Sequence, residues 1–364
     1  VNQSNFNLIV HEWGTFTSVA GVDGGALEWR PLSGVSDLPS FVYNGATSDQ
    51  GFRHPLKSKL TARIRMETPV LYFYADQEMD VSVKVDFPQG KITEWYPQAR
   101  SVRNGIDWGR FRVLPGAQVQ FPVQSGESHY YPARETDAAP VRVCGVRGQQ
   151  HEKFLFYRGV GEFDLPLLVK LEGGSVVVKN LGKDVIGQFI IFENRDGKSG
   201  YRIYDSLSGE VILDRPTLDR TVDSLQRDIE VILTTYGLYA KEAQAMVKTW
   251  QSSWFEEGLR VFYVVPRKTT DAILPITIDP QPAELVRVLV GRTEVITPEM
   301  EEAVQKQVAK LANPALEVRV AAMKAIMKYG RFTEPILKRI LKRTDDLEIK
   351  TRIAELIKTT KANI

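Results

Sequence analysis

The stretch Leu8-Ile9-Val10-His11-Glu12-Trp13-Gly14-Thr15-Phe16-Thr17-Ser18-Val19 decides how this chain is read. An apolar run meets a histidine and a carboxylate, passes a Trp-Gly step, and returns to residues that favour strands. As a strand it alternates faces, with Ile9, His11 and Trp13 on one side and Val10 and Glu12 on the other. From a regular strand His11 and Glu12 cannot ligate one metal. A bulge or bend at Gly14 would be needed to bring them together. Without it, His11 reads as a hydrogen-bonded, half-buried histidine and Glu12 as a solvated or paired carboxylate.

Outward from this stretch, short strands divided by turn signals continue to about Leu213. Val81-Ser82-Val83-Lys84-Val85-Asp86-Phe87 alternates apolar and polar residues, as a half-solvated strand does. Strands are also expected over Ala62–Ala75, Gln118–Val123, Ser175–Asn180 and Glu210–Leu213, among others. Gly173-Gly174 and Asp196-Gly197 mark hairpins. Leu32–His54, rich in Ser, Gly, Pro and Asp, reads as a long loop of the kind that often forms a lid. Cys144 falls in a strand and is expected to be a buried, inert thiol.

The pattern changes near Arg215-Pro216. Val222, Leu225, Ile229, Ile232, Leu233 and Tyr236 keep helical spacing, and Gly237 closes the run as a C-cap would. A second helix is expected from Tyr239 to Trp250. Strands follow over Leu259–Pro266, Ile273–Ile278 and Leu285–Val290. Thr297-Pro298-Glu299 then opens an all-helical end with an N-cap, a proline at N1 and an acidic first turn. The fold class is α+β. Residues 1–215 form a mainly antiparallel, sandwich-like β domain, 216–296 an α+β section that completes it, and 297–364 a helical cap.

Composition narrows the function classes. With 364 residues there is room for two or three cores. A net charge of +2 gives no global attraction to nucleic acid or to anionic membrane. No apolar run approaches the ~18 residues a membrane span needs. The single cysteine excludes an internal disulfide. Six Trp, thirteen Tyr and sixteen Phe suit an aromatic-lined β protein and lean towards a periplasmic or secreted one, with the cytoplasm as the alternative. The polar start Val1-Asn2-Gln3-Ser4-Asn5, without Met, charged n-region or apolar h-region, fits either a mature chain after signal removal or a trimmed one.

One internal repeat is present. Leu316-Glu317-Val318-Arg319 recurs as Leu347-Glu348-Ile349-Lys350 at an offset of 31, and Ala322 and Ile326 carry over to Ile353 and Ile357. These residues resemble a pair of short HEAT-type repeats, from the helical-solenoid family, which implies stacked helices with equivalent buried stripes. The opening His11-Glu12-Trp13-Gly14-Thr15-Phe16 resembles the starts of uncharacterised bacterial proteins of exported type. That resemblance implies a compartment and no activity.

Three places hold residues suited to chemistry. Glu67 lies within Arg65-Met66-Glu67-Thr68-Pro69-Val70-Leu71-Tyr72-Phe73-Tyr74. On a regular strand it shares a face with Leu71 and Phe73, where a carboxylate must be paired, metal-bound or protonated. Arg65 is the simple partner. Glu256 and Glu257 follow Trp254 and Phe255 at a helix-to-strand junction, and paired carboxylates among aromatics suit acid/base work or sugar binding. Trp13, Tyr72 and Trp254 are the aromatic rings expected to line such a pocket. The histidines His11, His54, His129 and His151 have no zinc-protease spacing. A divalent metal, zinc foremost, would need long-range assembly from His11, Glu12, His129 and His151.

Two functions therefore compete. One is an exported hydrolase built from His11, Glu67 and Glu256 or Glu257, meeting in one pocket. The other is a non-catalytic envelope module that binds a small molecule, glycan or peptide through aromatics and a protein through its C-terminal helices. A purely structural exported protein stands as a third reading beside these two.

Overall fold

The computed structural model describes residues 7–32, 38–45, 60–146 and 148–362, with side chains to residue 357. The loop expected over Leu32–His54 falls largely outside these residues, as does His54. The strands of the first half are β1 (Ile9–Ala20), β2 (Tyr43–Asn44), β3 (Ile64–Tyr74), β4 (Met79–Asp86), β5 (Gly90–Tyr96), β6 (Ser101–Val102) and β7 (Gly105–Val113). They are followed by β8 (Val141–Gly145), β9 (Gly148–Glu152), β10 (Leu155–Gly161), β11 (Leu167–Glu172) and β12 (Ser175–Asn180). Next come β13 (Phe189–Arg195), β14 (Lys198–Tyr204), β15 (Glu210–Leu213), α1 (Val222–Thr235) and α2 (Ala240–Trp254). The chain continues with β16 (Gly258–Val264), α3 (Arg267–Ile273), β17 (Ile276–Asp279) and β18 (Glu284–Val295). It closes with α4 (Pro298–Val308), α5 (Leu316–Met327), α6 (Thr333–Arg343) and α7 (Leu347–Ala362).

A nine-stranded sheet in the order β14-β13-β16-β18-β1-β3-β10-β5-β2 organises the molecule. Its pairs are antiparallel except β1 with β18, which run parallel at the centre. Strands from 216–296 therefore complete a sheet begun upstream. A six-stranded sheet (β17, β4, β7, β8, β9, with β6 on β7) and a three-stranded sheet (β11, β12, β15) supply a second layer. Val10, Phe16, Leu71 and Phe73 share one core with Val81, Val83, Phe111, Val169 and Val176 from that layer. On the opposite face, Trp13, Val70, Tyr72 and Val288 pack against Leu225, Ile229, Met246, Trp250 and Trp254 of α1 and α2. The β1 alternation is thus a true two-sided one, with a different partner layer on each face.

The local signals act as their chemistry requires. Thr221 caps α1 by accepting from Ser224 N, and Gly237, at φ 104, follows its end. Thr297 caps α4 in the same way, with Pro298 in its first turn. Asp196-Gly197 and Gly173-Gly174 all adopt positive φ, as tight hairpins demand. Three expectations for the strands fail. Gln118–Val123 forms no strand. Ile273 ends α3, a helix hidden by its shortness, so the following strand begins only at Ile276. Cys144 is exposed, because β8 alternates and places it on the solvent side between Val143 and Gly145.

The helical cap is docked on the sheet. Val19, Trp29 and Ile296 share a core with Met300, Val304, Ile326, Ile336, Ile353 and Ile357. Arg30 Nε donates to Glu334 at 2.6 Å. α5 and α7 bury equivalent positions. Ala322 and Ile353 are buried, as are Ile326 and Ile357, whereas Val318 and Ile349 are half-buried. Leu316 and Leu347, expected inside, are 63% and 77% exposed, because each stands at the first position of its helix.

Candidate functional site

The sheet is irregular at one level, and charge collects there. Between β1 and β3 the register shifts from Trp13↔Val70 to Thr15↔Glu67, so β3 carries an extra residue. The same extra residue shifts β3 against β10, and a further shift separates Arg158 from Gly159 in the β10–β5 pairing. The extra residue falls beside Thr68, whose φ is 50. A β-branched residue in the left-handed region costs on the order of 1–2 kcal/mol. Gly14 is required opposite this bulge, since a Cβ there would lie 2.9 Å from Pro69 Cα and from Leu289 Cδ1.

The bulge corrects the face assigned to Glu67. On a regular strand it would join Leu71 and Phe73; here it stands on the helix-facing side with Val70 and Tyr72. A row of buried charge results. Glu94 and Arg158 are cross-strand partners, Glu67 follows on β3, and Arg292 and Glu294 lie on β18 with Arg260 on β16. Thr17 Oγ1 donates to Glu67 at 2.9 Å, and Arg65 Nε approaches Glu67 to 3.0 Å. Arg65 is thus the partner its position implied. Arg292 Nη1 is 3.9 Å from Glu67, and its Nε donates to Glu294 at 2.7 Å. Arg260 Nε donates to the other Glu294 oxygen at 3.0 Å.

Burial works to raise Glu67, but Arg65, Arg292, Arg331 and Arg158 outweigh it and hold the carboxyl below its ordinary range. Glu294 is likewise opposed by burial and is held down at about 2 by Arg260, Arg292 and Arg331. Burial, Arg331 and Arg260 in turn bring Arg292 down to about 10. Glu67 is therefore an ionised, tightly paired carboxylate and no proton donor at neutral pH.

The expected convergence of His11 with Glu67 does not occur. His11 lies opposite Tyr72 and Glu67 opposite Thr15, four residues or roughly 13 Å apart along β1. His11 Nδ1 instead donates to Glu242 Oε2 at 2.7 Å, and Tyr74 donates to the other oxygen at 2.9 Å. Both His11 and Glu242 are fully buried. Glu12, on the opposite face, accepts from Arg287 Nε at 2.5 Å and from the Tyr157 hydroxyl. His129 stacks on Trp250, and its Nε2 is 3.1 Å from Arg158 Nη2. His151 is half-buried on β9, where burial and Arg142 lower its pKa. These four donors are not brought together. Among the described residues no group of three or more His, Cys, Asp or Glu is placed to hold a metal.

Trp13, Tyr72 and Trp254 are completely buried packing residues. Tyr72 uses its hydroxyl on Ala133 O at 2.6 Å. Trp13 and Tyr72 present no surface to an open cleft, whereas Trp254 borders a small apolar pocket with Ile190, Ile229 and Phe262. Glu256 and Glu257 do reach an open site. They border a cleft of about 540 Å³ between the α2–β16 junction and the cap, with Met300, Ala303, Tyr329, Arg331 and Phe332. Arg331 donates to Glu256 at 2.7 Å and to Glu294 at 3.0 Å. Glu67 and Glu256 are thus linked through Arg292, Glu294 and Arg331, and do not meet directly.

The residues that complete this row, Arg158, Arg260, Arg292, Glu294 and Arg331, were missed in the sequence. The available signal was charge inside runs such as Leu285–Val295, apolar on both faces, where each charged residue must find a buried partner.

No family model matches the chain, and no curated protein matches it. Among solved structures it is similar to the yeast delta-COP-I mu-homology domain complexed with the Dsl1 WxWxV peptide. The TM-score is 0.32 at 8% identity, covering 81% of this chain and 100% of that one. The yeast delta-COP-I mu-homology domain alone gives 0.29 at 9% identity with the same coverage. At these TM-scores the likeness assigns neither fold nor function. No helix among the described residues is long and apolar enough to cross a membrane.

Proposed function

We propose that the chain is a binding module, and that the cleft between the α2–β16 junction and the helical cap takes a peptide or protein segment bearing a lysine or arginine. The observation that carries this reading is the placing of Glu256 and Glu257 beside an apolar floor of Met300, Ala303 and Phe332, in a cleft that Arg331 and the exposed Lys328 also line. A basic side chain has the complementary form, a methylene stem ending in a cation. Glu256 is engaged by Arg331, whereas the Glu257 carboxylate is exposed and has no ion-pair partner among the described residues. An extracytoplasmic setting belongs to the same proposal and rests on the aromatic-rich β composition. A peptide array probed with the purified protein tests the reading. Spots containing Lys or Arg beside apolar residues are expected to retain it; indifference to basic residues contradicts it.

A hydrolytic site at Glu67 is the second reading. It is favoured by Thr68, a strained residue beside an ionised carboxylate, since such strain gathers at functional positions. Turnover of ester or glycoside substrates that is abolished in Glu67→Gln, in a variant that stays folded, would support it over the first.

A further inference from the structure

A second cleft, of about 350 Å³, opens at the opposite end of β1, and nothing in the binding proposal uses it. Ile9, Tyr74, Asp76, Thr136, Ala138 and Lys153 are among its lining residues. Its volume lies at the lower end of the range for small-molecule sites.

The polar groups of this cleft are incompletely used. Thr136 is 8% exposed, and its Oγ1 has no hydrogen-bond partner among the described residues. A buried hydroxyl left in this state is disfavoured unless something enters to meet it. Lys153 is half-buried, and its ammonium donates to Ala138 O at 3.0 Å, leaving two N–H groups to be satisfied. Burial lowers its pKa although Asp137 and Glu152 oppose the change, so an incoming anion would further favour the charged form. Asp137 is itself engaged by Lys241 at 2.6 Å. Asp76 is exposed and has no ion pair among the described residues. Tyr74 turns its hydroxyl away to Glu242, so it offers the cleft its ring.

We propose that this cleft binds a small zwitterion of the α-amino-acid class. Its carboxylate would meet the Lys153 ammonium and the Thr136 hydroxyl, and its ammonium would face Asp76. With Asp137 held by Lys241, one cation and one anion of the lining are not paired with each other, and they match a ligand whose two charges are separated and sum to zero. A simple carboxylate would leave Asp76 unmatched, and a simple amine would leave Lys153 and Thr136 unmatched.

Isothermal titration of the protein with L-alanine, propionate and ethylamine tests this. Alanine binds, and both single-charge probes bind more weakly. Lys153→Met weakens alanine by about tenfold or more, the scale of one charge-assisted hydrogen bond. Thr136→Val keeps the side-chain shape, weakens alanine, and does not lower the melting temperature, because the hydroxyl it removes has no partner in the free protein. Asp76→Asn removes the preference for alanine over propionate. The proposal is overturned if alanine gives no heat, if propionate equals alanine, or if a folded Lys153→Met binds alanine as the parent does.

Discussion

The Arg260 Nε lies 3.0 Å from Glu294 Oε2, and neither side chain has any exposed surface. Arg260 also donates to the carbonyl oxygens of Trp254 and Glu256, at 2.7 and 2.6 Å, so this pair ties the end of α2 to the sheet. Removing one partner leaves a buried charge uncompensated, which costs about 3–5 kcal/mol. Glu294→Gln should lose that much in urea unfolding. A loss under about 1 kcal/mol would mean that Arg292 and Arg331 need no carboxylate between them.

The same network sets an acid limit on stability. Glu294 is depressed from 4.5 to about 2 when folded. A depressed carboxyl contributes stability that is present above its unfolded value and is lost as pH falls through the folded one. The contribution is about 3 kcal/mol above pH ~4.5, lost progressively towards pH ~2. Glu67, lowered in the same direction, adds to the fall. Melting temperature measured from pH 5 downward should drop steeply in the parent and less steeply in Glu294→Gln. Parallel curves would contradict the assignment.

Gly14 tests the bulge. A methyl group at this position meets the Pro69 backbone, which cannot rotate away as a side chain could. Gly14→Ala should destabilise by about 1–3 kcal/mol, the usual scale of overpacking. Unchanged urea midpoints would show that β1 and β3 can separate there freely.

Much of the fold was legible because it is written in short-range pattern. Val81–Phe87 alternates, Asp196-Gly197 turns and Thr297-Pro298 caps, and each does so through its own side chains and neighbours. The site was less legible because it depends on one extra residue in β3. A strand pattern fixes faces only while the register holds, and the bulge beside Thr68 reversed the face of Glu67. Nothing local to Glu67 announces Arg292, which is 225 positions away in the chain. His11 reads in the sequence as a metal ligand or as a hydrogen-bonded histidine, and its partner Glu242 is hidden in a helix whose apolar stripe reads as core.

The repeat in the cap predicts paired effects. Ile326→Ala and Ile357→Ala remove equivalent buried side chains and should each cost about 2–5 kcal/mol in the cap's unfolding. Leu316→Ala and Leu347→Ala, both exposed, should stay within about 0.5 kcal/mol. A large cost at Leu347 or a negligible one at Ile357 would break the equivalence of α5 and α7.

The central claim, that Glu256 and Glu257 mark a site for a basic segment, is tested most directly by calorimetric titration with a short lysine-containing peptide. The parent protein should bind it, with affinity falling as salt is raised, because the carboxylates are exposed and screened. Glu257→Gln should weaken binding by about tenfold, and the double variant with Glu256→Gln should abolish it without lowering the melting temperature by more than a few degrees. Equal binding by parent and double variant, or tighter binding of a glutamate-containing peptide, would contradict the account.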